Sequence, residues 1–340
     1  MKRPVPTAAA ALATKLRAGP DGFIRLQIDE RDWIGLAMGC AQGLQDLLAL
    51  WVDDDAAHMG LGVPALKLRI IVSVPLKRGS FPSVAKNHPA ACRLERSIRD
   101  LHGVEPKGLP DQRNWMDHGK WPSPPPSLKK DAARRDAAYA FLATEGEGLH
   151  QIAVGPVHAG IIEPGHFRFQ CHGERVLHLE ISLGYQHRGV EAAIVRGPRS
   201  RLLHYVATLA GDTTVGHVTA CCQLMESLAG VQVPPRAQAL RAVALELERL
   251  ANHTGDLGAL AGDVGFLPTA SYCGRLRGDF LNMTAMLCGS RFGRGLVRPG
   301  GIGFDVDSDR IQTLRKQLRA TNRDVENAAR LLWETASVMA

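Results

Sequence analysis

A proline-rich, charged segment near residue 120 divides this sequence and limits how it can fold. Residues 119–136 read GKWPSPPPSLKKDAARRD, with four prolines at positions 122–126 and alternating charges after them. Proline fixes its own backbone and has no amide donor, so the segment reads as an extended, solvated linker. The sequence therefore predicts domains over 1–120 and 146–340, joined by a linker over 121–145 that few contacts cross.

The bulk composition favours a globular protein with reduced thiols. Of 340 residues, 45% are hydrophobic and 22% are charged, which suits packed domains. Seven cysteines without a CxxC pair fit a cytoplasmic compartment better than a disulfide framework. Because no 18 apolar residues run together and the basic start MKRPVPTAAAALATKL develops no signal-peptide core, we expect neither a membrane span nor a leader.

The formal net charge of +7 does not by itself indicate nucleic-acid binding. Basic residues are spread along the chain, aromatic residues make up 5%, and no stripe of Lys or Arg alternates with Phe or Tyr. A basic face toward an acidic protein partner or lipid headgroups is the favoured interpretation. We expect no nucleic acid among the partners.

Apolar spacing in the first segment predicts a small domain of helices and strands. Residues 23–28 and 66–74 read as strands, and residues 30–47 as a helix. A second, highly charged helix ends at Gly103. No nucleophile, metal or phosphate spacing is present, so a structural or docking role is expected.

The second segment begins with a loop and a hairpin. Residues 166–184 alternate on both sides of a turn at 172–174, which predicts two antiparallel strands. The preceding loop, 155–165, presents His158, Glu163 and His166. Three such groups on one loop fit metal binding or proton relay, or else an ordinary hydrogen-bonded surface.

A histidine and two cysteines in AGDTTVGHVTACC, residues 210–222, form a second candidate cluster. On a helix His217 and Cys221 share a face, while Cys222 points about 100° away, so at most two ligands converge. Buried cysteines that act as small hydrophobes are the favoured interpretation. Farther on, residues 309–340 read as a helix.

The first segment resembles the small peripheral-arm subunit of respiratory complex I. The resemblance rests on FPSV at 81–84, LER at 94–96, DLHG at 100–103 and GLPD at 108–111.

The second segment resembles the large subunit of membrane-bound, energy-converting nickel-iron hydrogenases of the formate-hydrogenlyase type. It is similar also to their relative, the quinone-site large subunit of complex I. The supporting motifs occur in order: GPVH (155–158), EPGHF (163–167), YQHRGVE (185–191), ALELERLANHTGDLGALAGDVGF (244–266) and GSRFGRGLVRPGGI (289–302). The resemblance implies an α+β fold, a small N-terminal α/β module followed by a hairpin-led, mainly helical domain.

In the hydrogenases, a cysteine pair precedes the family histidine by a fixed step. If His217 is that histidine, the two cysteine positions are Ala210 and Thr213, and neither is a thiol. The family's second cysteine pair belongs to a C-terminal motif that would follow Ala340, so the resemblance implies a domain truncated at its C-terminus. Nickel held by soft thiolates is therefore not expected.

The resemblance also suggests roles for the loop residues. Glu163 and His166 correspond to a proton-transfer element, and His158 to the first histidine of the quinone loop. Ile162 and Gly211 stand where the second histidine and the tyrosine of the quinone site are expected.

Four further residues are implied as parts of the site wall. Arg188 and Glu191 are expected to form a buried, stabilising pair. His217 and Arg298 would lie near the vacant metal pocket, although Arg298 also fits a turn cap before Pro299.

Together these features imply membership of a complex I-like (NADH:quinone oxidoreductase) or hydrogenase-like assembly. The expected partners are a small iron-sulfur subunit with a 4Fe-4S cluster and ion-translocating membrane subunits. The chain would lie on the cytoplasmic face of the inner membrane, bind no cofactor itself and be inactive alone. Alternatives are a truncated catalytic hydrogenase subunit and a purely structural scaffold.

Overall fold

A computed structural model describes residues 24–118, 141–157 and 164–339. These residues form a mixed α and β protein with several small sheets. The chain divides into two compact units, one ending at Arg188 and the next beginning at Gly189. Most of the linker predicted over 121–145 lies outside the described residues, so that boundary stays a prediction.

A four-stranded sheet forms the centre of the first unit. Its strands, in spatial order, are β1 (Ile24–Gln27), β4 (Leu68–Pro75), β3 (Ala56–Val63) and β2 (Asp46–Val52). β1 runs parallel to β4, and the other pairs are antiparallel. One face is buried, with Ala57, Met59 and Leu61 fully enclosed at alternate positions of β3. The strands predicted at 23–28 and 66–74 are confirmed as β1 and β4.

Helix α1 (Glu30–Ala41) packs Trp33 and Leu36 into this core. Asp29 caps it by accepting a 2.8 Å hydrogen bond from the Asp32 amide. The predicted helix over 30–47 is wrong beyond Ala41. Gly43 adopts φ +68°, which turns the chain, and the apolar residues that follow pair with β3 as strand β2.

Helix α2 (Cys92–His102) ends at Gly103 as predicted, because Gly103 adopts the left-handed conformation. Its charged side chains hold two loops. The buried Glu95 carboxylate accepts from Ser83 Oγ and the Val84 amide, both at 2.6 Å. Short strands β5 (Ser80–Pro82) and β6 (Glu105–Lys107) flank the helix in sequence and pair in parallel.

The loop after β6 has no regular structure but is fixed by α2. Arg96 Nε donates to the Arg113 carbonyl at 2.8 Å, and Arg99 donates to the Gln112 carbonyl at 2.6 Å. Asp100 accepts from the Trp115 amide at 2.7 Å. The charged motif of α2 is therefore a scaffold for its neighbouring loops.

A three-stranded antiparallel sheet completes the first unit. It consists of β7 (Leu149–Val154), β8 (His166–His172) and β9 (Arg175–Ser182), which confirms the predicted hairpin. Arg113 donates to the fully buried Glu180 carboxylate at 2.9 Å, and His118 Nε2 lies 2.9 Å from Ser182 Oγ. The expectation that few contacts cross the linker is wrong for this sheet.

The second unit is mainly helical. Its elements are α3 (Val190–Arg196), α4 (Leu202–Val206), α5 (Thr214–Ala229), α6 (Pro235–Asp263), α7 (Leu267–Cys288), β10 (Val297–Arg298), β11 (Gly301–Ile302), α8 (Ser308–Glu334) and α9 (Ala336–Met339). Val215, Leu247, Phe280 and Leu287 lie in its core. In the described part of the chain, no helix is both long and apolar enough to cross a membrane.

Helix α8 confirms most of the helix predicted at 309–340. Asp307 caps its start by accepting from the Arg310 amide at 2.8 Å. The prediction is wrong at Thr335, where ψ of 116° ends the helix before the short α9.

Candidate functional site

The first candidate site surrounds His166 at the start of β8. His166 Nδ1 lies 3.0 Å from the Gly155 carbonyl oxygen, and Nε2 lies 3.4 Å from Arg168 Nη2. A carbonyl only accepts, so Nδ1 carries the proton of this hydrogen bond. In this tautomer Nε2 faces the guanidinium as an acceptor.

Phe141 covers the same corner of the sheet. The His166 ring meets it edge-on with centroids 5.1 Å apart, and the Arg168 guanidinium lies 4.1 Å from its centroid. His158, Ile162 and Glu163 lie outside the described residues. The structure therefore fixes the orientation of His166 alone among the loop residues predicted to act.

The predicted burial of Arg188 and Glu191 is wrong. Both residues are exposed to solvent. The expectation of burial is wrong because Arg188 follows β9 in an exposed stretch, and Glu191 lies in the first turn of α3, a helix with no buried residue.

The second candidate site lies at the start of α5. Ala210 and Thr213 bracket a single 3₁₀ turn, and His217 follows one helical turn after Thr213. Val215 and Val218 are buried, whereas His217 is half-buried at the edge of the helix. An alanine methyl and a threonine hydroxyl offer no soft donor for nickel.

Glu248 of α6 anchors the first turn of α5. Its carboxylate accepts from the Val215 amide at 2.7 Å and from the Gly216 amide at 2.9 Å. This contact satisfies two amides that the helix leaves unpaired at its N-terminus. Burial raises the pKa of Glu248, the Asp212 charge adds to the rise, and the two amide hydrogen bonds oppose it.

The two cysteines of α5 behave as hydrophobes. Burial raises the pKa of Cys222 to about 11 and raises that of Cys221 as well, so both stay protonated near neutrality. Among the described residues, no group of three or more His, Cys, Asp or Glu side chains is placed to hold a metal ion.

A buried ion pair holds the RPGG hairpin next to α5. Arg241 Nη2 donates to Glu226 Oε1 at 2.6 Å and to the Arg298 carbonyl at 2.7 Å. The Gly300 amide donates to the same carboxylate at 2.7 Å. The Arg241 guanidinium holds the pKa of Glu226 below its usual value. Arg298 lies on β10 with its side chain exposed and against Gly303, as part of a hairpin rather than a simple turn cap.

Sequence reasoning missed Glu226, Arg241 and Glu248. Each sits inside an apolar helical pattern, where a single charged residue reads as part of the solvated face. The sequence signal that could have indicated Glu226 and Arg241 is their helical spacing, which puts them on the same faces of α5 and α6 as the buried apolar residues.

Comparisons with known proteins identify both segments. Residues 47–137 match the family described as respiratory-chain NADH dehydrogenase, 30 Kd subunit. Residues 263–340 match the family described as respiratory-chain NADH dehydrogenase, 49 Kd subunit. Two segments of the chain are thus similar to the 30 Kd and 49 Kd subunits of respiratory-chain NADH dehydrogenase. The resemblance stated from the motifs is confirmed.

The proteins that this chain is similar to include hydrogenase subunits. Hydrogenase-4 component G of Escherichia coli (strain K12) is 34% identical over 273 residues, 76% of this chain and 48% of that protein. Formate hydrogenlyase subunit 5 of the same strain is 32% identical over 286 residues, 80% of this chain and 50% of that protein.

A third relative is named for an NADH-quinone oxidoreductase. It is the C/D protein of that enzyme in Bdellovibrio bacteriovorus, which is 26% identical over 249 residues, 69% of this chain and 44% of that protein. The chain thus spans about half the length of the curated relatives that it matches. Its relatives are complex I-like and energy-converting hydrogenase subunits.

Proposed function

We propose that this chain is part of a membrane-associated, complex I-like or energy-converting hydrogenase-like oxidoreductase, and that it holds no nickel-iron centre of its own. It docks a small iron-sulfur subunit bearing a 4Fe-4S cluster, and it couples redox or proton transfer to ion-translocating membrane subunits. It acts on the cytoplasmic face of the inner membrane. Within it, a small α/β module precedes a mainly helical domain of the hydrogenase large-subunit type.

The observation that carries this proposal is the donor set at the start of α5. Ala210 and Thr213 supply no thiolate, and Cys221 and Cys222 stay protonated. The helix end is held by Glu248 and packed against the loop at Gly293, where Val215 leaves no room for a Cβ atom. Such packing suits a structural element beside a redox partner better than a metal pocket.

Metal analysis of the purified protein tests the proposal. We expect no stoichiometric nickel after purification without chelators, because the described residues offer no soft ligand set. A value near one nickel per chain would support the alternative, a catalytic hydrogenase subunit.

We further propose that the 155–166 loop relays protons through Glu163 and His166. The observed hydrogen bond to the Gly155 carbonyl orients His166, and its Nε2 atom lies next to Arg168 Nη2. In this relay Glu163 is the carboxyl that exchanges the proton, and His166, held by the Gly155 carbonyl, is its partner. His158 stands at the quinone-facing position of the same loop.

In an assembled complex, Glu163→Gln should slow proton-coupled turnover by about 10²-fold, the scale of losing a positioned acid or base. Glutamine keeps the size and hydrogen-bonding capacity but cannot exchange the proton. The readout is proton-coupled electron transfer in membranes, with the composition of the complex checked by native electrophoresis.

Glu174→Gln is the matched control, because Glu174 is exposed in the hairpin turn of the same sheet. It should leave turnover unchanged. Full turnover in a correctly assembled Glu163→Gln complex would retire the relay and favour the scaffold function.

A further inference from the structure

A groove runs between α6 and α8 in the second unit. Leu240, Val243, Leu247 and Leu250 recur every three or four residues along α6 and line it. Ile311 and Leu318 of α8 form the opposite wall. Two adjoining cavities, of about 340 Å³ and about 1100 Å³, share Arg315 and Leu318 and occupy this α6–α8 groove.

The apolar lining of the groove is only partly covered. Val243 is 44% exposed, and Ile311 and Leu318 are each 38% exposed, whereas Leu247 at the floor is 4% exposed. The groove is thus concave, with a buried floor and open walls. A concave, apolar groove of this kind is the surface that the apolar face of an amphipathic helix binds.

Four cations and one carboxylate line the outer rim of the groove on α8; the carboxylate, Glu326, accepts a 2.7 Å hydrogen bond from Asn322 Nδ2. Arg315, Lys316, Arg319 and Arg323 are all exposed. Across the part of the chain that the structure describes, no carboxylate pairs with any of the four. Arg310 and Arg275 differ, since they pair with Asp307 and Asp324.

We propose that the α6–α8 groove binds an acidic amphipathic helix of a partner protein. Arg315, Arg319 and Arg323 follow one another every four residues, so they rise along α8 by about 6 Å per step. A facing helix with carboxylates at the same interval meets each guanidinium in turn, and its apolar face covers Val243, Ile311 and Leu318. The rim sets the orientation of the partner, and the floor supplies the contact area.

The residues that line the groove argue against a nucleic acid or a membrane surface as its ligand. Among the residues that the structure describes, no aromatic side chain lines either cavity, so unstacked bases have no platform. The floor at Leu247 is recessed between helices, where a flat bilayer surface does not reach. A helix fills such a concave, apolar-floored space, and its carboxylates neutralise the rim.

Fluorescence anisotropy with the purified chain and designed peptides tests the proposal. The probe is a labelled helical peptide of about 18 residues, or five turns, with leucines on one face and glutamates flanking them. Its twin carries glutamine for every glutamate. We expect saturable binding of the glutamate peptide that weakens with salt, and binding of the glutamine twin at least about tenfold weaker.

Two variants locate the binding. Arg315→Glu/Arg319→Glu should weaken the glutamate peptide at least about tenfold and bind a lysine-for-glutamate peptide instead. Val243→Asp should weaken all three peptides, because it places a charge on the apolar wall. Lys86→Glu/Lys107→Glu reverses as many exposed charges in the first unit and should change nothing.

The remaining outcomes contradict the proposal. Equal binding of the glutamate peptide and its glutamine twin would overturn it. So would undiminished binding of the glutamate peptide by Arg315→Glu/Arg319→Glu, if that variant has an unchanged circular dichroism melting curve. Saturable binding of phosphatidylglycerol vesicles or of duplex DNA without peptide binding would do so as well, and would assign the rim to lipid headgroups or nucleic acid.

Discussion

Glu95 shows how one buried carboxylate makes a domain sensitive to pH. Its side chain is completely enclosed, and burial raises the pKa to about 7, against the opposing effect of the Ser83, Val84 and Ala85 hydrogen bonds. The folded state therefore keeps a proton that the unfolded chain releases at its ordinary value of 4.5. The resulting stability is present below pH 4.5 and is lost as the pH rises toward 7.

We expect Glu95→Gln to flatten the dependence of unfolding free energy on pH between pH 5 and 7. The wild-type protein should lose on the order of 3 kcal/mol across the whole titration, since each pKa unit corresponds to about 1.4 kcal/mol. Guanidinium titrations followed by tryptophan fluorescence measure this, because Trp33 donates to the Pro82 carbonyl next to the Glu95-bound loop. The exposed Glu147→Gln is the control, and an equally steep slope in Glu95→Gln would assign the effect to other groups.

At the same scale, sequence reasoning succeeded where the periodicity of a residue decides its environment. Cys222 was expected to be a buried hydrophobe, and it is fully enclosed. The expected burial of Arg188 and Glu191 was wrong, since spacing alone does not tell that the whole stretch around a short helix lies at the surface. Glu226 and Arg241 were missed because only the packing of α5 on α6 brings them together.

At the scale of elements, the Glu226–Arg241 pair determines where the β10–β11 hairpin sits. We expect Arg241→Met to cost about 3–5 kcal/mol of unfolding free energy, since it leaves the Glu226 carboxylate buried without its guanidinium. Denaturant titration measures the loss, and hydrogen exchange at the Gly300 amide reports the release of the hairpin. Arg249→Met removes an exposed pair with Glu246 and should cost less than about 0.5 kcal/mol.

A double change separates the charge from the packing. Glu226→Leu/Arg241→Met should recover most of the stability lost in Arg241→Met, because no uncompensated charge remains. A double variant as unstable as Arg241→Met would show that the backbone contacts of Arg241, and not the charge of Glu226, hold the hairpin.

Element types were more predictable than element ends. Strands β1 and β4, the β8–β9 hairpin and helix α8 follow from local apolar periodicity. The end of α1 depends on Gly43 turning the chain so that β2 can pair with β3, and sheet pairing is not a local property. The same limit applies to the end of α8 at Thr335.

At the scale of the whole molecule, the proline-rich segment should be the first site of proteolysis. We expect limited trypsin digestion to cut between Lys120 and Arg135, where basic residues follow the prolines. Mass spectrometry of the first fragments identifies the cleavage site. Initial cleavage within α6 or α7, with this segment intact, would show that the linker is packed.

The contact between Arg113 and Glu180 joins the two fragments that such a cut would produce. The two side chains are separated by 67 positions in sequence, and the residues between them include the proline-rich segment. Gly184 also lies against the backbone of Met116, and His118 against Ser182. A nicked chain would therefore remain one particle on gel filtration and come apart only in denaturant. Two separately made polypeptides, divided inside that segment, should find each other and reconstitute the first unit by complementation.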